Sequence, residues 1–173
     1  MTEEAEHRLS PERWLQLDPN FSFYKFSEAD GFQPMTPKDW VPIWRDSTLV
    51  APVPVDIINR FEQARACIAY GCFFYPLYGL GIGQLLRVAD AALLVKCGQL
   101  DAPKKIKTFE QRIDWLASVR GAADFDATYW HRLRRFRNED VHDRPATIVA
   151  PPSAQSFLRA VSDEIQRLFE QSD

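Results

Sequence analysis

The stretch VDIINRFEQARACIAYGC, residues 55–72, decides the fold class. Its apolar side chains recur at helical spacing, and one charged residue, Arg65, interrupts the pattern. The residues in this register are Ile58, Phe61, Ile68 and Cys72. A second helical run follows Pro76 and is predicted to end near Gly98. Because proline kinks or breaks a helix, the two runs form either one bent rod or a hairpin.

Three further helices are predicted downstream. Thr108 and Gln111 form a capping-box pattern that starts the first of them. The second runs from Asp124 or Asp126 towards His142. The third is amphipathic, and its inward-facing residues are Phe157, Val161, Ile165 and Leu168. No convincing pair of strands is evident, so we expect an all-α, up-and-down helical bundle.

The first part of the chain differs in composition from the rest. Residues 1–53 are irregular and rich in proline and tryptophan, whereas the helical patterns fall within residues 54–173. We therefore expect a helical domain over 54–173 and an N-terminal arm over 1–53. Trp14, Trp40 and Trp44 are the side chains expected to hold the arm on the bundle.

Composition narrows the class of partner and the compartment. The net charge of −3 means that any nucleic-acid binding must depend on a local basic patch. The three cysteines show no CxxC spacing, which argues against a disulfide framework and against a zinc site. The acidic start of the chain lacks the apolar core of a signal peptide. These features favour a reducing cytoplasm and predict no metal and no cofactor.

One uncharged stretch approaches the length of a membrane span. It covers residues 66–86 and is 21 residues long, but it contains Pro76 and Gln84. Arg65 and Arg87 flank it almost symmetrically, so it carries no orientation signal. We expect a buried core segment and no membrane partner.

The most informative chemical feature is the segment RRFRNEDVHDR, residues 134–144. It brings a guanidinium, an amide and an imidazole together near a helix end, at Arg137, Asn138 and His142. Arginine holds phosphate bidentately, and histidine exchanges protons near neutral pH. Such a set is suited to cleaving a phosphodiester without a metal. The alternative is a structural ion pair with a histidine that stabilises the helix dipole.

Arg137 falls inside the apolar arc of its helix, between Leu133 and Val141. A guanidinium there is costly without a partner. It therefore pairs locally with Asp140, pairs with another helix, or lies at an interface. Asp90, which interrupts an apolar helical run, is a candidate partner, although it could instead pair with Arg87. Asp90 and Asp140 are thus the candidate supporting carboxylates.

Arg137 and His142 do not converge in a regular helix. They are five residues apart, which is about 140° around the axis. Convergence requires either that His142 leaves helical phase at the helix end or that two copies of the helix meet. Asn138 and His142 are four residues apart and share a face, so the amide can orient the imidazole.

The pattern R-N-x-x-x-H over residues 137–142, near the end of a helix in an all-α domain, resembles the signature of the HEPN superfamily. The resemblance covers about residues 55–171. It implies a homodimer whose motif helices form a composite cleft. Many family members are metal-independent endoribonucleases in toxin–antitoxin, phage-defence or RNA-processing systems. An antitoxin or another defence protein is therefore a further expected partner.

The resemblance also implies roles for the motif residues. The RNA 2′-hydroxyl would attack the adjacent phosphorus, with His142 as general base or acid. Arg137 would neutralise charge in the transition state, and Asn138 would orient one of these two groups. One toxin subset carries a modifiable tyrosine two residues after the histidine. Here that position is Arg144, so pairing with the corresponding class of antitoxin is not expected.

A basic patch beside the motif is the candidate RNA contact. Its members are Arg134, Arg135 and Arg144, which can steer a phosphate backbone. The competing interpretation is an ordinary solvated face, since neighbouring carboxylates dilute the charge. At the level of function, the alternative to the nuclease is a catalytically inactive module of the same type that binds RNA, a nucleotide or a protein partner.

Overall fold

The computed structural model describes residues 15–23, 25–28, 31–34, 36, 38–40, 47–121, 125–141 and 149–170; for 139–141 it describes the backbone alone, and for 25–28 and 31–34 the strand pairing. Five long α-helices lie in this part of the chain. They are α1 (Val55–Tyr70), α2 (Leu77–Gln99), α3 (Phe109–Arg120), α4 (Ala127–Val141) and α5 (Pro151–Glu170). The helices pack into one bundle, which confirms the all-α prediction.

Helices α1 and α2 form a hairpin. Pro76 stands immediately before α2, and a six-residue connection, 71–76, joins the two helices. The two helices come close at Gly81, where an added Cβ would lie 2.4 Å from a side-chain carbon of Ile68 and 3.1 Å from the carbonyl oxygen of Ala64. A single bent rod cannot bring these residues together, so packing settles the choice that the sequence left open.

The buried face of α1 is rotated slightly from the expected one. Ile57 is buried, whereas Ile58 is only partly buried. The buried residues of the helix are Ile57, Phe61, Ala64 and Ile68. This register still has the helical period, and it directs the small side chain of Ala64 towards α2, where the two backbones come close.

Helix α2 is the centre of the bundle. It packs against α1, α3, α4 and α5, and it carries the largest set of buried side chains of the five helices. None of the described helices combines the length and apolar character needed to cross a bilayer. The uncharged stretch 66–86 instead forms the last turn of α1, the connection 71–76 and the first part of α2.

Local capping explains where the later helices begin and end. The Thr108 hydroxyl accepts a hydrogen bond from the Gln111 N–H, and the Gln111 side-chain oxygen accepts one from the Thr108 N–H. The predicted capping box is therefore present. The carboxylate of Asp126 accepts from the Tyr129 N–H at 2.9 Å and starts α4. Helix α2 runs past Gly98, and the left-handed residue after it is Asp101, with φ of 53°.

The described part of the N-terminal arm contains a 3-10 turn and a small hairpin. The turn is Pro19–Phe23, and the strands β1 (Lys25–Glu28) and β2 (Gly31–Pro34) pair antiparallel with Lys25 opposite Pro34. The sequence patterns did not indicate this hairpin, because neither four-residue strand shows a clear alternation of apolar and polar residues.

The arm meets the bundle at the α1–α2 connection. The rings of Phe21 and Trp40 pack edge to face with their centres 5.6 Å apart. The Trp40 ring packs in the same way on Tyr78 of α2, with a centre-to-centre distance of 6.1 Å. The buried carboxylate of Asp18 accepts from the Tyr75 N–H at 2.8 Å. A negatively charged acceptor on a buried amide ties the arm to the connection. Trp14 and Trp44, which were also predicted to hold the arm, lie outside the described residues.

Candidate functional site

The site is built around one carboxylate that lies between two guanidiniums. Asp90 of α2 contacts the Nη2 atom of Arg112 of α3 through one oxygen. Its other oxygen lies 3.4 Å from the Nη2 atom of Arg137 of α4. Arg137 therefore pairs with a carboxylate on another helix, which is one of the alternatives predicted for it. Through these two contacts, the Asp90 side chain joins α2, α3 and α4.

Arg112 is the fixed member of this cluster. Its side chain is 8% exposed, and its Nη1 group donates to the Lys107 carbonyl oxygen at 2.6 Å. Its Nε group is buried and has no hydrogen-bond partner. Packing and two sets of hydrogen bonds therefore hold the guanidinium in one orientation, and the Asp90 carboxylate is fixed with it.

Arg137 is the accessible member. Its side chain is 39% exposed, and its guanidinium lies 5.8 Å from the centre of the Phe109 ring. Asp90 carries one negative charge and contacts two positive groups, so the cluster retains one excess positive charge. Since Arg112 is buried, Arg137 presents that charge to solvent.

Two other side chains of α4 contact carboxylates of α3. Arg134 lies 3.2 Å from the Glu110 carboxylate, and His131 lies 3.1 Å from Asp114. Arg134 therefore faces α3, and it shares a face of α4 with Arg137, which follows it by three residues. Arg135 and Asn138 are exposed. The predicted RNA-contacting residues thus differ in their surroundings: Arg134 is ion-paired, whereas Arg135 is exposed.

The remaining predicted residues cannot be placed. His142 and Arg144 lie outside the described residues, and so does the side chain of Asp140. The convergence of Arg137 with His142, within one chain or between two, stays a prediction.

A groove between α4 and α5 lies beside the cluster. It has a volume of about 500 Å³ and contains aromatic, cationic and hydroxyl side chains. Its lining residues are Tyr129, Arg132, Leu133, Phe136, Pro152, Ser153, Ser156, Phe157 and Ala160. Phe136 is the residue next to Arg137 in α4, so the groove and the cluster occupy adjoining faces of one helix.

The Tyr129 end of the groove is acidic. Burial raises the pKa of the Tyr129 hydroxyl far above its usual value. The nearby carboxylates of Glu164, Asp163 and Asp126 raise it further, whereas the Arg132 guanidinium lowers it. Burial also raises the pKa of Glu164, in spite of its ion pair with Arg167. This end of the groove therefore disfavours additional negative charge.

Sequence reasoning missed Arg112 and the groove. A signal for Arg112 was present, since it lies three residues after Phe109 and four before Leu116, within the apolar stripe of α3. A cation in such a stripe requires a buried partner. The groove had no comparable signal, because it forms between α4 and α5 when each of these helices packs against α2.

Comparison of the chain with protein-family models, with curated proteins and with solved structures found no match to any of them. Among the described residues, no group of three or more His, Cys, Asp or Glu side chains is arranged to hold a metal ion. The functional argument therefore depends on the chemistry of the cluster itself.

Proposed function

We propose that this protein is a metal-independent endoribonuclease of the HEPN type that acts in the cytoplasm in defence or stress. One observation carries the proposal: Asp90 holds Arg137, and Arg137 presents at the surface the excess positive charge of two guanidiniums that share this one carboxylate. The transition state at a pentacoordinate phosphorus carries developing negative charge. A cation that is already oriented stabilises this charge without a cost of reorganisation during the reaction.

In this proposal, the RNA 2′-hydroxyl attacks the adjacent phosphorus and the 5′-oxygen leaves, giving a 2′,3′-cyclic phosphate and a 5′-hydroxyl. His142 removes or supplies the proton. Arg137 binds the non-bridging oxygens, and the exposed amide of Asn138 orients the imidazole. Asp90 and Arg112 act as positioning residues for Arg137 and do not touch the RNA.

We further propose that the site is shared between two copies of the chain. A homodimer with facing α4 helices supplies an Arg137 and a His142 to one cleft without requiring them to converge on one helix. Arg135 and Arg144 extend the positive surface for the RNA backbone. Arg134, paired with Glu110, contributes less charge to that surface.

The test is cleavage of total RNA in EDTA by the wild-type protein and by Arg137→Ala and His142→Ala. We expect cleavage that both substitutions abolish and that leaves 2′,3′-cyclic phosphate ends. Arg60→Ala, which removes an exposed guanidinium of α1, is the matched control and should cleave normally. Absence of cleavage by a folded wild-type dimer would contradict the nuclease.

A second candidate is an inactive module of the same type that binds RNA, a nucleotide or a protein. The polar contacts of α4 favour it, since His131, Arg134 and Arg137 each contact a carboxylate, as in a purely structural face. In this case RNA or nucleotide binding without cleavage, or capture of a defined antitoxin, is expected. A protein that remains monomeric at micromolar concentration would contradict the shared site in both candidates.

A further inference from the structure

We propose that the groove between α4 and α5 is a subsite for a base of single-stranded RNA, next to the bond that is cleaved. The inference deepens the proposed function and rests on it for the identity of the RNA. Three properties of the groove support it: its aromatic wall, its exposed cation and the direction of its charge gradient.

The aromatic wall consists of Phe136 and Phe157. Their ring centres are 6.0 Å apart and the rings are nearly perpendicular, at 83°, so the two rings do not stack on one another. Phe136 is 54% exposed, so part of its ring is open to solvent at the groove. An exposed ring of this kind offers a face for stacking to any of the four bases.

The cation is Arg132. Its guanidinium lies 5.5 Å from the centre of the Tyr129 ring, and none of the carboxylates in the described ranges forms a salt bridge with it. Arg132 and Phe136 are four residues apart and share a face of α4. A phosphate bound by Arg132 would therefore lie close to a base stacked on Phe136.

The charge gradient gives the RNA a direction. Around Tyr129 three carboxylates outnumber one guanidinium, that of Arg132, whereas Arg135 and Arg137 add positive charge on either side of Phe136 in α4. The strand therefore leaves the groove at the Phe136 end, towards the Asp90–Arg112–Arg137 cluster. The volume of about 500 Å³ lies within the usual range for small-molecule pockets and accommodates a base with its ribose.

The test measures binding of a fluorescent 12-nucleotide single-stranded RNA to His142→Ala, so that the RNA stays intact. Adding Phe136→Ala should weaken binding about tenfold, the effect of losing one stacked base. Phe136→Trp should restore it. Tyr70→Ala is the matched control, because it removes a ring that is 61% exposed on α1, and it should bind like its parent.

An RNA of the same length that carries abasic sites separates stacking from phosphate binding. With this probe, the difference between Phe136→Ala and its parent should disappear. Arg132→Gln should weaken both probes and lower the salt dependence of binding. The subsite would be overturned if Phe136→Ala kept the affinity of its parent or if Tyr70→Ala lost as much. Binding of a protein in the groove with no binding of RNA would also overturn it.

The two proposals fail separately. If the wild-type protein cleaves RNA but Phe136→Ala binds normally, the subsite is wrong and the nuclease stands. If RNA is never cleaved but its binding depends on Phe136, the nuclease is wrong and the subsite stands as an RNA-binding groove. Circular dichroism of each variant, with a melting curve, confirms that a loss of binding is not a loss of fold.

Discussion

At the scale of the residue, the shared carboxylate of Asp90 explains why two arginines can lie among apolar side chains. A buried ion pair is costly to form, but removing one partner is costlier, because it leaves an unpaired buried charge. Arg112 depends on Asp90 in this way, whereas Arg137 has access to solvent. The two arginines should therefore respond differently to substitution.

We expect Asp90→Asn to lower the free energy of unfolding by about 3 kcal/mol, since it strands the buried guanidinium of Arg112. Arg137→Ala should cost no more than about 1 kcal/mol, because the lost contact is partly exposed and Asp90 keeps its other partner. Urea unfolding of both variants measures the difference. Equal losses would show that Arg112 does not depend on Asp90.

Glu164 should make stability depend on pH. Burial raises its folded-state pKa above that of the unfolded chain, so the folded protein holds this proton more tightly. The stability cost of ionising Glu164 is absent below the unfolded-state pKa of about 4.3. It grows as pH rises from there to the folded-state pKa, and it is complete above that pKa. Glu164→Gln should therefore raise Tm at pH 7 and have little effect near pH 3.5. Melting curves at both pH values test this, and a larger gain at low pH would reverse the sign.

At the scale of the element, the α1–α2 hairpin depends on one missing side chain. A Cβ at position 81 would meet Ile68 and the backbone of α1, whereas a Cβ at position 79, two residues earlier in α2, meets nothing within 4 Å. The same substitution at these two glycines therefore separates packing from helix propensity.

Gly81→Ala should destabilise the protein by about 2 kcal/mol, because the added methyl forces the two helices apart. Gly79→Ala should stabilise it by up to about 1 kcal/mol through helix propensity alone. Chemical denaturation of both variants gives the comparison. A stabilising Gly81→Ala would show that α1 and α2 do not approach as closely as described.

At the scale of the whole molecule, the three cysteines report on how the bundle opens. Burial raises the pKa of the Cys72 and Cys97 thiols to about 11, whereas Cys67 on α1 is only partly buried. Thiolate is the reactive form, so the two buried thiols are inert until the core opens.

We expect a thiol reagent at pH 8 to label Cys67 first and to reach Cys72 and Cys97 only on unfolding. At that pH a thiol with a pKa of about 11 is ionised in about one molecule per thousand. Mass spectrometry of the native protein, followed by labelling in urea, identifies the sites. Native labelling of Cys97 at the rate of Cys67 would contradict a closed core around α2 and α3.

Much of the fold follows from local sequence. The α3 capping box and the start of α4 at Asp126 depend on contacts within one turn. The helical period also predicted the burial of Val161, Ile165 and Leu168 in α5, whereas Phe157, predicted to face inward with them, is only partly buried. The candidate site is local only in part. The motif points to Arg137 and Asn138 as a pair, whereas Arg112 was found only after α3 had been placed against α2.

The sequence by itself determined that this chain is helical, where most of its helices begin, and that an arginine in the last turns of α4 needs a partner. Only the tertiary structure decided that α1 and α2 form a hairpin, that Arg137 meets Asp90, and that a groove opens beside Phe136. The reason is physical. Helical hydrogen bonds and caps are made between near neighbours in the chain, whereas the partner of a charge and the space between two helices depend on how distant faces pack.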